Sequence, residues 1–408
     1  MKSTTRFQLS FMMFLEFFIW GGWFVTMGTF LGNNLSASGA ETGMAYSTQS
    51  WGAIIAPFII GLIADRFFNA EKILGVLHLI GAVLMYQMSK ATDFGVFYPY
   101  VLGYMIAYMP TLALVNSVSF NQMKDPSKDF PFIRVWGTIG WIVAGLLISF
   151  AFKWDSLENI GQGMLSNTFL MTAIASAILG VFSFALPKTP PQAKGEKASI
   201  ADILGLDALK LLKDRNFLVF FLSSVLICIP LAFYYQNLSP FLTESGVENS
   251  TAWASGGQIS EVLFMLLLPF FFKKFGFKKT IIVGMLAWGI RYLLFAYGNA
   301  GELFFMLILG ILLHGMCYDF FFVSGQIYTD SKAGEKVKSA AQGLITLATY
   351  GVGMLIGFYV AGKITDANII DEGGHTWQTI WRFPALFAAG VLILFALLFK
   401  NEKIEYKE

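Results

Sequence analysis

The sequence predicts an all-α membrane protein whose twelve transmembrane helices form two halves of six. Three observations predict it. Of 408 residues, 56% are hydrophobic and 13% are charged. A soluble domain carries about 25% charged residues and could not clothe its surface with half of them. Apolar runs long enough to cross a bilayer, about 20 residues for about 30 Å of hydrocarbon, recur twelve times. The Lys and Arg residues gather in alternate connections, as positively charged cytoplasmic loops do.

The same composition excludes a soluble enzyme, a secreted disulfide scaffold and a disordered chain. A formal net charge of +2 is too small to point to nucleic acid. Cys228 and Cys317 both lie in apolar stretches, which leaves neither a disulfide framework nor a cysteine metal site. The 40 glycines suit helices packed closely in lipid.

The first run, 8–31, is too long for the apolar core of a cleaved leader, and no small-residue cleavage site closes it. The next five lie near 43–64, 72–90, 95–118, 132–152 and 166–187. A polar linker follows, 188–215, opening with Pro187-Lys188-Thr189-Pro190-Pro191, which cannot continue a helix. Within it Ile203, Leu204, Leu206, Leu209, Leu211 and Leu212 alternate with Asp202, Asp207, Lys210 and Lys213. That pattern predicts a short amphipathic helix on the cytoplasmic face. The second set of runs is 216–241, 253–272, 280–297, 302–328, 339–362 and 378–400. Continuous apolar runs, rather than alternating ten-residue segments, argue against a β-barrel.

With an even number of spans and a cytoplasmic N-terminus, 22 of the 28 Lys and Arg residues lie inside. Four (Lys90, Lys153, Lys363 and Arg382) lie outside, and Arg134 and Arg291 lie at or within the membrane. Both termini are therefore expected in the cytoplasm. The mid-chain linker gives domains 1–187 and 216–408, the six-plus-six plan of the major-facilitator superfamily. Gly61-Leu62-Ile63-Ala64-Asp65-Arg66 resembles that superfamily's motif between its second and third helices. Gly61 would let helices approach, and Asp65 could accept from a helix N-terminus or a neighbouring Arg. An ordinary charged loop is the competing reading.

Ionisable groups at membrane depth cost at least about 2.5–3.5 kcal/mol each. Each is therefore a candidate functional residue: Glu16, His78, Arg134, Glu261, Arg291, His314 and Asp319. Arg134, Thr138 and Trp141 follow i, i+4, i+7 and share one helical face. That face offers a guanidinium, a hydroxyl and a flat ring, a set able to hold a hydroxylated ring compound. Alternatively, Arg134 snorkels to the cytoplasm. Gln258 and Glu261 are spaced i, i+3. The amide suits base edges or vicinal hydroxyls, and the acid could bind hydroxyls, carry a proton or clamp Arg291. Asp319, a lone acid among aromatics, is the first candidate for proton coupling, with Glu261 second. His314 is as well read as a polar clamp, and His78 as a satisfied core residue. Glu16, Trp20, Trp23 and Met27 form one stripe, either a cavity wall or packing. After Pro230, Tyr234, Tyr235, Gln236 and Asn237 make a polar, bendable segment fit for a gate or pocket wall. No phosphate-binding loop, zinc-protease motif or dinucleotide fingerprint occurs at a usable spacing, so no cofactor or metal is expected.

Several stretches together resemble the nucleoside:proton symporter family of bacterial facilitators. They are Phe17-Phe18-Ile19-Trp20-Gly21-Gly22-Trp23, Tyr108-Met109-Pro110-Thr111-Leu112 and Asp129-Phe130-Pro131-Phe132-Ile133-Arg134-Val135-Trp136-Gly137-Thr138-Ile139-Gly140. Leu204-Gly205-Leu206-Asp207-Ala208, Gln258-Ile259-Ser260-Glu261, Tyr318-Asp319-Phe320-Phe321 and Ala341-Gln342-Gly343 agree as well. The resemblance covers essentially the whole chain. It implies a twelve-helix fold in the inner membrane, proton-driven nucleoside uptake, and binding residues at Arg134, Thr138, Gln258, Glu261, Tyr318 and Asp319. One departure stands out. Family members place a Gln and an Asn on the seventh span where this chain has Ala232 and Tyr235.

The expectation is alternating access, with ribose hydroxyls held by Glu261, Asp319 and Arg134. The base would stack on Trp141, Tyr235 or Tyr318, with Gln236 and Asn237 beside them as further substrate-binding residues. A monomer in lipid, with nucleoside and protons as partners, is expected. Another polar solute, such as a sugar or small organic acid, is the alternative cargo.

Overall fold

A computed structural model of the chain describes residues 2–59, 67–124, 129–191, 206–333, 337–370 and 373–402. Gly61, Asp65 and Arg66, the loop motif singled out above, lie outside the described residues. Among the described residues the regular structure is helical, and the one β pairing is an isolated bridge between Ile369 and His375. Nine of the helices among the described residues are long and apolar enough to cross a membrane.

Burial is inverted relative to a water-soluble protein. Large apolar side chains point outward along the helices, with Leu397 77%, Leu266 75% and Leu386 72% exposed, while Glu16 and Asp319 are at 0%. Lipid accepts the apolar exterior, and the helices satisfy their own backbone groups, as hydrocarbon requires.

By internal contacts the chain forms two compact units. The first is Met1–Ala198 with Glu248–Ser255, and the second is Ser199–Val247 with Gly256–Glu408.

In the first unit, α1 (Ser3–Gly21) ends in a turn before α2 (Met27–Leu35), so the first predicted span is two helices rather than one. Then come α3 (Gly39–Ile59), α4 (Ala70–Ser89) and α5 (Phe94–Phe120). The helix α6 (Pro131–Leu146) begins at a proline, whose missing N–H is no loss in the first turn. It runs on into a π-helical stretch, Leu147–Ala151. A short α7 (Leu157–Gly161) precedes α8 (Ser166–Ser183). The first helix packs on α6 and α8, and α4 packs on α5 and α8. Gly140 makes the α1–α6 crossing possible, since a Cβ there would collide with the Phe14 carbonyl.

The polar centre of this unit is a buried network. The Glu16 carboxylate meets His78 Nε2 at 2.8 Å and accepts from the Thr111 hydroxyl at 2.6 Å. Tyr108 donates to the Glu16 carbonyl at 2.7 Å, and His78 Nδ1 lies 3.3 Å from Ser176 Oγ. The carboxylate thereby ties together three helices, and His78 extends the network to a fourth. Glu16 is packing, not cavity wall, and within its stripe Trp23 and Met27 are also fully buried. Elsewhere in this unit, Asp155 accepts from the Ser149 hydroxyl at 2.7 Å and from the Thr251 N–H at 2.9 Å. The same Ser149 oxygen accepts from the Ala252 N–H at 2.9 Å. Two donors of the helix that opens at Ser250 are thus satisfied.

The linker straddles the boundary between the units. In the stretch where a short amphipathic helix was expected, Leu206–Lys213 forms a 3-10 helix. Asp214 then caps α9 (Arg215–Glu244), accepting from the Phe217 N–H at 2.9 Å. That N–H, with Lys332 at 3.2 Å, holds the Asp214 carboxyl below its usual range. The cap therefore stabilises the fold above the ordinary carboxylate titration and is lost as the pH falls through the lowered value. Asp214→Ala is expected to lower stability by about 1 kcal/mol at neutral pH, with the deficit vanishing in acid. Thermal melting at two pH values checks it.

Next, α10 (Ser250–Tyr297) counts 48 residues, about 72 Å if straight, well over one bilayer. It breaks at Gly276, φ 77 and ψ 170, a conformation open to glycine, within the basic connection Lys273–Lys279. After it come α11 (Phe304–Tyr318), a π-helical Asp319–Val323 and α12 (Ser324–Ala333). The next run is α13 (Lys338–Thr346), a π-helical Leu347–Gly353 and α14 (Met354–Asp366), and α15 (Trp377–Leu398) closes the described helices. In this unit α9 packs on α14 and α15.

Candidate functional site

The site residues named from sequence fall into the two units. In the first, α6 turns Ile133, Gly137, Gly140 and Ala144 into the packing, and this fixes the adjacent face. Arg134, Thr138 and Trp141 stand on that face, all half-buried. The Arg134 guanidinium carbon lies 4.1 Å from the Phe17 ring centroid, a cation–π contact that orients the fork. Trp141 leans on Trp20, ring centroids 5.8 Å apart, and Trp20 leans on Tyr108 at 5.7 Å. The aromatic platform therefore rests on the Glu16 network beneath it.

In the second unit, one close crossing sets the geometry. The Ser260 hydroxyl donates to the Gly257 carbonyl at 2.7 Å and accepts from the Gly315 N–H at 3.0 Å. A Cβ on Gly315 would collide with the Ser260 backbone. This contact holds Glu261 level with Gly315, one helical turn before Asp319. Gly315→Val is expected to add about 1–3 kcal/mol of overpacking strain and to depress melting temperature and uptake together. Unchanged uptake at equal membrane level would contradict the close crossing.

Asp319 opens the π-helical stretch Asp319–Val323 and is fully buried. Neither of its carboxylate oxygens has a hydrogen-bond partner among the described residues. Glu261 is the like charge that acts on it. Such π-bulges are frequent at functional positions, because the widened turn redirects side chains.

On α9, Tyr235 is half-buried while Tyr234, Gln236 and Asn237 are buried. Asn237 exchanges hydrogen bonds with Thr365, at 3.2 Å as donor and 3.4 Å as acceptor, so its amide is engaged in helix packing. Ala232 lies buried opposite Gly357. Where the family pattern has two amides, this chain therefore has packing at one position and a phenol at the other. Gln258 and Glu261 are half-buried, as is Tyr318.

Two more residues join this cluster: Arg291, already singled out as an ionisable group at membrane depth, and one that was not. Arg291 is 1% exposed, with its guanidinium carbon 3.5 Å from the Tyr234 ring centroid. Its Nη1 lies 3.1 Å from His314 Nδ1. Arginine has only donors, so His314 Nδ1 accepts and its proton sits on Nε2. His314 is a clamp, as one reading of the sequence had it, and it stacks on Tyr234 at 5.2 Å. The other residue is Tyr350, whose hydroxyl lies 2.5 Å from that of Tyr318. Sequence reasoning passed over it. Its one signal was a lone tyrosine between Thr349 and Gly351 in an otherwise apolar run.

A helical protein with an apolar exterior and carboxylates, amides and phenols turned inward is a membrane protein with a polar interior. Comparison with known proteins agrees and narrows the class. The family model described as "Nucleoside H+ symporter" matches residues 2–404. The chain belongs to the nucleoside H+ symporter family.

The chain is 46% identical to YegT of Escherichia coli (strain K12), over 99% of this chain and 96% of that protein. It is 34% identical to the xanthosine permease of the same organism, with 98% of each covered. Identity to its nucleoside permease NupG is 30%, over 98% of this chain and 97% of the relative. The crystal structure of the nucleoside transporter NupG superposes with a TM-score of 0.85, covering 98% of this chain and all (100%) of the other. The crystal structure of the POT family transporter PepTSo aligns with a TM-score of 0.75 at 17% identity, which shows the shared fold alone. These relatives are permeases, not enzymes.

Proposed function

We propose that the chain imports nucleosides with protons across the bacterial inner membrane. In this reading twelve spans form two six-helix halves that work by alternating access, with both termini cytoplasmic. The protein works as a monomer surrounded by lipid. The observation that carries the reading is Asp319, a fully buried carboxylate with no hydrogen-bond partner among the described residues and with Glu261 as its charged neighbour. Two carboxylates in a low-dielectric site cannot both stay ionised cheaply. A proton on Asp319 relieves the repulsion and makes that carboxyl a donor to a ribose oxygen, while ribose hydroxyls donate to the carboxylate of Glu261. Binding of proton and nucleoside thereby favour one another, which is the thermodynamic requirement for symport.

In the proposed site, Asp319 is the coupling group and Glu261 the second carboxylate. Arg134, Thr138 and Gln258 bind polar edges of the substrate. Trp141, Tyr235 and Tyr318 present flat rings to the base. Gln236 and Asn237 shape the segment that holds Tyr235 rather than touching substrate. The test is competition against radiolabelled uridine. Unlabelled nucleosides are expected to compete strongly, free bases weakly and sugars not at all. Equal competition by sugars would transfer the site to the other class of polar cargo.

A further inference from the structure

We propose that Asp155 and Ser149 form an outer latch on α10: they hold its first turns while the site is closed to the outside and release them each time the carrier opens outward. The inference rests on the alternating-access reading above and deepens it by naming a contact that must break. On the topology proposed there, α6 ends and α10 begins at the outer face. Glu248–Ser255 belong to the first compact unit, whereas from Gly256 onward the same helix belongs to the second. Gln258 and Glu261 follow within about three turns of the held segment. Whatever grips Glu248–Ser255 therefore grips the helix that carries two of the proposed substrate-binding residues.

The grip is specific. A backbone N–H can only donate, which fixes the direction of the bonds. The Thr251 N–H donates to the Asp155 carboxylate at 2.9 Å, and the Ala252 N–H donates to Ser149 Oγ at 2.9 Å. The Ser149 hydroxyl in turn donates to the same Asp155 oxygen at 2.7 Å. At the rim, the Leu157 N–H donates to the Glu248 carboxylate at 3.3 Å. Beneath these bonds α6 and α10 touch. A Cβ on Gly145 would collide with Ser255 Oγ and lie 3.3 Å from the Thr251 carbonyl oxygen. The grip is also built to let go. Asp155 is 1% exposed, yet its Oδ1 is buried with no hydrogen-bond partner among the described residues, and so is the Thr251 hydroxyl. The closed contact leaves both dry and unsatisfied, which is unfavourable. Opening hydrates them, and water takes over the two N–H groups at the end of the helix. What closure gains in hydrogen bonds is thus partly offset, and the contact can part reversibly.

The experiment uses full-length protein in cells lacking their own nucleoside permeases, with membrane levels measured for each variant. Gly145→Cys and Ser255→Cys are combined, because a Cβ at position 145 would lie 3.5 Å from that of Ser255, within the range of about 3.5–4.5 Å that a disulfide spans. The native Cys228 and Cys317 are both free and buried. Oxidation is expected to reduce radiolabelled uridine uptake to background and reduction to restore it, with neither single-cysteine variant responding. A static helix cap gives no such reversible block. Full uptake by protein shown to carry the disulfide would overturn the proposal, and α10 would then have to bend at Gly256–Gly257 with the contact shut. A second measurement leaves residue 145 alone. Ser255 is 3% exposed in the closed contact, so Ser255→Cys reacts with a membrane-impermeant maleimide from outside only when the latch opens. Labelling is expected to proceed and to abolish uptake, since a labelled latch cannot close again. Adding Ser149→Ala is expected to speed labelling about two- to ten-fold, the worth of one neutral hydrogen bond. No labelling, or a rate indifferent to Ser149→Ala, would overturn the proposal. Absence of uridine uptake by wild type would overturn the functional reading itself, a different outcome from either.

Discussion

An Asp319→Asn protein is expected to stop concentrating nucleoside. Its steady-state internal level should fall to the external level, an accumulation ratio of about one, because a group that cannot exchange a proton cannot couple to the proton gradient. Exchange of labelled for unlabelled nucleoside should survive, since the amide keeps an acceptor and adds a donor. Affinity should weaken by no more than roughly ten-fold, the worth of one neutral hydrogen bond, about 0.5–1.5 kcal/mol, because the amide resembles the protonated carboxyl. The basis is the complete burial of Asp319 beside Glu261 without a partner among the described residues. An Asp319→Asn protein that still accumulates substrate would remove Asp319 from coupling and leave Glu261 as the candidate.

The second large effect is on stability. Glu16→Ala takes away the acceptor of Thr111 and the partner of His78, in a site where both Glu16 and His78 are buried. Removing one member of a buried pair typically costs about 3–5 kcal/mol, because the other is left unsatisfied. Glu16→Gln, which keeps shape and hydrogen bonds, should lose much less. Melting of detergent-purified protein measures both. The account predicts a clear drop for alanine and partial recovery for glutamine. Equal melting of wild type and Glu16→Ala would mean that the network holds nothing together. Uptake should fall with the alanine variant as well, since the Trp20–Trp141 platform rests on the same helix.

The sequence made the class of fold legible because a membrane protein advertises its solvent. Long apolar runs and a lopsided distribution of Lys and Arg are set by lipid thickness and membrane charge, not by tertiary detail. The site was legible in part for the same reason. Asp319, Glu261 and Arg134 are conspicuous because charge at that depth is expensive. What the pattern could not carry was partnership. His78, one ionisable residue in an apolar span, gives no sign that Glu16, 62 residues away, is its partner. A clamp between Arg291 and Glu261 was as reasonable on sequence as the His314 contact the structure has. Interruptions of the helices were equally hidden. The turn after Gly21 and the π-helical stretches at Asp319 and Leu347 leave no compositional trace, yet they redirect the site residues. The seventh-span departure was visible as a substitution. Its meaning, a phenol half-open at Tyr235 and an Asn237 amide taken by Thr365, required the packing.

The most direct test of the central claim is uptake of radiolabelled uridine and adenosine into cells lacking their own nucleoside permeases, with and without a protonophore. The account predicts accumulation above the external level that collapses when the proton gradient is dissipated. Uptake indifferent to the protonophore, or none from protein demonstrably in the membrane, would contradict proton-coupled nucleoside import by this chain.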